Sequence, residues 1–262
     1  MSEISKAIHS MTFGDKNTWD DWHLVPTSRP TFSFPSIKTQ SVDIPGANGK
    51  IDLTEALTGY PAYNNRTGSF EFMVVNTNQS LSVDSSEGYS AAASTTQWQQ
   101  VYSKIANYLH GQDMQLTYED DPGWYYKGRF DINQWSSDQE YSKITIDYDV
   151  EPFKYSLSDT GDQWLWDPFN FETGVIRTYN TDELQFDTAG KQFKIYGTNY
   201  PCVPTVFVSV PSTVTTSKGT FQLKAGSNKN PLIMLYPGKQ YWTFKANRGS
   251  GNAAIYFRER SL

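Results

Sequence analysis

His23 stands in the run Trp19-Asp20-Asp21-Trp22-His23, and a histidine flanked by acids is the set that general-base catalysis uses. A second run, "YEDDPGWYYKGRF", sets Glu119, Asp120 and Asp121 beside Trp124, Tyr125 and Tyr126. Paired carboxylates next to aromatic rings are what glycoside hydrolysis requires. A third set, Asp147, Asp149 and Glu151, offers the carboxylate oxygens that calcium favours.

Each set also has a plainer reading. No other cluster supports a base at His23. Tryptophans three residues apart, followed by the rigid "VPTSRP", read as an extended segment that anchors itself by large aromatics, on its own domain or on a neighbour. Asp121-Pro122-Gly123 is an ordinary turn between strands, with proline setting φ and glycine supplying freedom. Calcium needs six or more ligands, usually gathered by a tight loop, so the third set reads as a solvated strand face.

The remaining chemistry is sparse. His9, His23, His110 and the single Cys202 share no metal-ligand spacing and there is no CxxC pair, so no metal is expected. No GxSxG elbow is present, and Cys202, between Pro201 and Val203, reads as a buried thiol in an apolar strand. "NRGSGN" lacks the lysine and helix of a phosphate loop and reads as a hairpin tip. No catalytic residue and no cofactor is assigned. Trp19, Trp22, His23, Trp124, Tyr125 and Tyr126 are instead the candidates for an assembly interface.

The elements that must position them are mostly strands. "SVDIPGANGKIDL" places Asn48-Gly49 between short alternating runs, which signals a hairpin. In "SFEFMVV" Phe70, Phe72 and Val74 alternate with Ser69, Glu71 and Met73, and in "KITIDYDVEPF" Ile144, Ile146, Tyr148 and Val150 share a face. Only "STTQWQQVYSKIANYLHGQ" has helical spacing, through Trp98, Val101, Tyr102, Ile105 and Leu109. It predicts a helix from Thr95 to His110, with Ser94 and Gln97 as capping box and Gly111 as stop. The Ser- and Ala-rich stretch before it reads as a loop or weak extended arm. Beyond the polar "SLSDTGDQ", the short strands "QFKIYGTNYP", "CVPTVFVSVP", "GTFQLKAG", "PLIMLYPG", "KQYWTFKAN" and "NAAIYFRER", separated by Gly, Pro and Asn, predict a β-sandwich of about 100 residues.

A chain of 262 residues suggests two domains, a lone large β-barrel being the other option. Its net charge of −6 argues against broad phosphate binding, and no contiguous basic block points to nucleic acid. One cysteine allows no internal disulfide and suits a reducing cytoplasm. No apolar stretch suggests a signal peptide or a membrane span. Without an export route, the sequons at Asn65 and Asn78 carry little weight. With 17 Tyr, 15 Phe and 8 Trp, the chain has large aromatic areas suited to strands and interfaces.

Four ordered segments, "FGDKNTWDDWHLVPTSRPTFS", "VDIPGANGKIDLTEALTGYPAYNNRTGSFEF", "YLHGQDMQLTYEDDPGWYYKGRF" and "ITIDYDVEPFKY", resemble the N-terminal domain of distal tail proteins from long-tailed phages of Gram-positive hosts. The resemblance covers residues 11 to 155. The second half is more weakly similar to that family's galectin-like sandwich, through "GTNYPCVPTVFV", "LYPGKQYWTFKAN" and "IYFRERSL". It implies a mainly β protein: a β-sandwich-like ring domain with one helix and a hairpin over residues 1–157, then a galectin-like β-sandwich over 158–262. It further implies a non-enzymatic hub at the virion tail tip, made in the host cytoplasm. Six copies would form a ring, single or back to back, joining the tail tube to a tail-associated lysin or fibre and to receptor-binding proteins. The chain has no room for the carbohydrate-binding insertions of some relatives. A carbohydrate-binding module and a β-sandwich glycoside hydrolase acting through Glu119 or Asp121 remain the alternatives.

Overall fold

The computed structural model describes residues 9–46, 48–56, 59–74, 91–137, 142–159, 169–170, 175–176 and 179–262. The chain forms two compact units, one ending at Lys154 and the other spanning Tyr155–Ser261. The fold is mainly β, with one helix among the described residues.

The first unit contains β1 (Met11–Phe13), β2 (Lys16–Asn17), β3 (Leu24–Pro26), β4 (Ser41–Asp43), β5 (Lys50–Asp52), β6 (Arg66–Val74), α1 (Ala91–Leu109), β7 (Gln112–Tyr118), β8 (Trp124–Ser137) and β9 (Ser142–Val150). Its main sheet runs β2-β1-β7-β8-β9-β6-β3. Register follows the alternation of the sequence: Phe70 pairs with Ile146 and Phe72 with Ile144, and all four are buried. A slip of one residue would turn that whole face into water. Each large apolar side chain removed from water contributes about 1.5–3 kcal/mol.

α1 closes this core through Ile105 and Leu109, both fully buried, while Tyr102 lies 4.8 Å from the ring of Trp135. The helix starts at Ala91, earlier than expected, so Ser94 lies inside it and cannot be the cap. Alanines 91 to 93 are strong helix formers and carry the helix past that signal. Gly111, with φ 74°, ends it as expected. The Ser-rich stretch 75–90 and the side chain of Trp98 lie outside what is described.

β10 (Lys154–Asp159) begins on Lys154 of the first unit and continues into the second, which contains β11 (Phe169–Asn170), β12 (Val175–Ile176), β13 (Leu184–Asp187), β14 (Lys191–Tyr196), β15 (Thr205–Val208), β16 (Ser212–Thr216), β17 (Gly219–Leu223), β18 (Gly226–Lys229), β19 (Lys239–Ala246), β20 (Ser250–Tyr256) and β21 (Arg258–Ser261). Two four-stranded sheets, β13-β20-β15-β18 and β14-β19-β16-β17, share one core. Phe186 of one meets Phe244 of the other at 5.6 Å.

Two local expectations fail here. "PLIMLYPG" is not a strand: only Leu235 bridges, to Cys202, while Ile233 and Leu235 point inward and Leu232 outward. "NRGSGN" is not a hairpin tip, because β19 and β20 belong to different sheets and the turn carries the chain across the sandwich. Local turn chemistry does not reveal which sheet the next strand joins.

Candidate assembly surface

The run at 19–23 folds as a capped turn rather than an extended segment. Asn17 Oδ1 accepts hydrogen bonds from the backbone N–H of Trp19 (2.8 Å) and Asp20 (3.2 Å). Asp21 returns the favour, accepting from the Asn17 N–H at 2.8 Å and from Lys16 Nζ at 3.2 Å. The backbone bond from Asn17, then Lys16, outweigh burial and hold the Asp21 carboxyl below its ordinary range. The turn closes with His23 N–H donating to Trp19 O at 3.0 Å, and His23 takes a left-handed φ of 51°. These side-chain bonds satisfy backbone groups that an extended chain would leave to water. Asp21, one of the acids that suggested a base, therefore shapes a turn.

Trp22 is 3% exposed, packed on Phe13 at 6.1 Å and Tyr108 at 5.7 Å, so it anchors the turn inside its own unit. Trp19 remains half-buried, its ring 6.0 Å from that of His23. Tyr125 and Tyr126 are buried as well, whereas Trp124 is half-buried with Lys154 Nζ 5.0 Å above its ring. Of the six interface candidates, Trp19, His23 and Trp124 thus keep surface to offer. Trp22 and Tyr126 belong to the core of the first unit, and Tyr125 is buried outside that core.

The acids beside Trp124 are each held in place. Asp120 meets His9 Nδ1 at 2.8 Å and Arg29 Nε at 3.0 Å, and Asp121 meets Lys154 Nζ at 2.7 Å. Burial would raise the Asp120 carboxyl, but the bonds from His9 and Arg29 bring it below its ordinary value. Glu119 is exposed and accepts from the Ser10 N–H at 3.2 Å. Asp121 O accepts from the Trp124 N–H at 3.4 Å across Gly123, whose φ is 88°, as the turn reading expects. Farther along, Asp147 and Asp149 accept from Asn133 and Asn65, each at 2.7 Å. Cys202 is buried, which pushes its thiol up.

The feature that residue chemistry missed is an arm. Its root is fixed: Phe32 stacks on Tyr126 at 3.7 Å, the Ser33 N–H donates to the Tyr148 hydroxyl at 3.0 Å, and Arg66 Nε donates to Pro152 O at 2.8 Å. From there two stretches run back to back, with Lys38 N–H donating to Ala62 O (2.8 Å), Asn64 N–H to Ser36 O (2.8 Å) and Leu53 N–H to Gln40 O (2.7 Å). β4 and β5 form its outer hairpin, Val42 opposite Ile51 and Asp43 opposite Lys50.

Val42, Ile51 and their i+2 neighbours Ile44 and Leu53 are all exposed, as is Ile37, and Phe34 is 84% exposed. By strand alternation the first four share a face. That face has no core beneath it. The alternation was legible, but periodicity does not tell whether an apolar face meets a core of the same chain.

No family model and no curated protein matches the chain. Among solved structures it is similar to the Dit (gp 19.1) protein of SPP1, described as a paradigm of the hub adsorption apparatus in phages that infect Gram-positive bacteria. The TM-score is 0.59 at 16% sequence identity, covering 97% of this chain and 100% of that one. The chain has a Dit-like fold.

Proposed function

We propose that this chain is a distal tail protein of a long-tailed phage, a non-enzymatic hub in which six copies form a ring at the tail tip. The observation that carries the reading is the arm: a two-stranded ribbon with an exposed apolar face is marginal alone in water and gains stability by covering that face. A second copy of the chain is the occupant that a ring supplies. In a closed ring every arm meets the same surface on the next copy, so no apolar face is left over. The Dit-like fold supports this role, and so do the ion pairs that hold Asp120 and Asp121 in structural contacts. Tail tube protein, a tail-associated lysin or fibre, and receptor-binding proteins are the partners of such a hub, in the virion.

Negative-stain electron microscopy and mass photometry test it, with the chain alone and mixed with its tail tube protein. Closed six-fold rings are expected. Val42→Asp with Ile51→Asp should leave thermal unfolding unchanged and abolish the rings. A chain that stays monomeric with the tube protein present sinks the reading.

A further inference from the structure

Between Asp187 and Glu259 the sequence contains no acidic residue, yet seven lysines, Arg248 and Arg258 fall in that interval. Dispersed along the chain, they form no basic block. β14 and β19 bring several of them together. Lys194 pairs with Tyr241 and Tyr196 with Lys239 across the two strands. Along each strand the pattern repeats: Lys194 Nζ lies 4.5 Å from the centroid of Tyr196, and Lys239 Nζ lies 5.0 Å from that of Tyr241. The result is a two-by-two checkerboard of ammonium groups and phenol rings.

This checkerboard faces water. Ile195, Trp242, Phe244 and Val214 turn inward and are buried, so their strand neighbours turn outward, and Tyr241 is 50% exposed. Lys245, Thr213 and Thr215 extend the same face across β19 and β16. Among the described residues no ion pair ties Lys194, Lys239 or Lys245 to a carboxylate. A hydrogen bond to Tyr241 keeps Lys239 above its ordinary pKa, and therefore charged.

An uncompensated positive face on a chain of net charge −6 attracts a polyanion there in preference to the rest of the surface. The side chains between the lysines decide which polyanion. The core of a protein interface is depleted in charge and above all in lysine, whereas here Lys194 and Lys239 alternate with the tyrosines, and the outward positions around them carry Thr, Gln and Lys but no aliphatic side chain. Phenol rings, hydroxyls and amides match the faces and hydroxyl groups of sugars.

We propose that the outward face of the β14-β19-β16-β17 sheet binds an anionic glycan, a polysaccharide whose sugars are joined through phosphodiesters, with Lys194, Lys239 and Lys245 on phosphates and Tyr196 and Tyr241 against sugar rings. This binding goes beyond the hub role and does not depend on ring formation.

Isothermal titration calorimetry on the full chain tests it, with phosphomannan as probe and neutral mannan, inorganic polyphosphate, single-stranded DNA and polyglutamate as comparisons. Phosphomannan should bind, mannan at least about tenfold more weakly, and affinity should fall as salt rises. Lys194→Gln with Lys239→Gln, and separately Tyr241→Ala, should each weaken phosphomannan binding about tenfold without moving the thermal unfolding midpoint. Absence of phosphomannan binding overturns the proposal. So does equal or tighter binding of polyphosphate, DNA or polyglutamate with Tyr241→Ala harmless, because that would be charge attraction or an acidic protein site.

Discussion

Trp19 and Trp22 look equivalent in sequence and differ completely in the fold. Trp22→Ala removes a ring enclosed by Phe13 and Tyr108, and should cost about 3–5 kcal/mol in denaturant unfolding. Trp19→Ala, at a half-buried ring, should cost less than about 1 kcal/mol. Equal losses would contradict this division. Two acids, in different turns, carry a pH dependence. Asp21 and Asp120 are both held below the ordinary 3.8, so the stability they add is present above that value and is lost as pH falls through their folded pKa values. Thermal midpoints measured from pH 6 to pH 3 should fall less steeply for Asp21→Ala than for the parent chain. Parallel curves would remove Asp21 from the account.

At the scale of elements, the sheet of the first unit depends on one close approach. A Cβ on Gly128 would collide with the carbonyl oxygen of Asp149 and the Cα of Val150, backbone atoms of β9 that cannot rotate aside. Gly128→Ala should therefore force β8 from β9 and cost upwards of about 1–3 kcal/mol, read as loss of near-ultraviolet circular dichroism or a lowered midpoint. A variant as stable as the parent would show that the strands slide apart freely. The arm is the opposite case. Its hairpin was legible from Asn48-Gly49, and Gly46 and Gly49 do take positive φ, but nothing local shows that Val42 and Ile51 remain uncovered. That depends on where the rest of the sheet lies.

At the scale of the whole molecule, each unit has its own hydrophobic core, one closed by α1 and the other enclosed by two sheets. Separate cores predict separate melting. Calorimetry should resolve two transitions, and Trp22→Ala should lower only one of them. A single transition shifted as a whole would mean that the cores unfold together. The charge is divided in the same way: the acid-free interval lies in the second unit, which the net charge of −6 conceals.

The sequence by itself determined most of the strands and the body of the helix, because a period of two or of 3.6 is a property of neighbouring residues, but not the helix start at Ala91 or the missing strand at "PLIMLYPG". It also determined the turn at Asp121-Pro122-Gly123 and the helix stop at Gly111, where φ is a local matter. Only the tertiary structure decided that Trp22 is interior and Trp19 peripheral, that β19 and β20 lie in different sheets, that the arm is bare, and that dispersed lysines meet on one face. Those facts depend on contacts between residues far apart in the chain, and no local pattern encodes which surfaces meet.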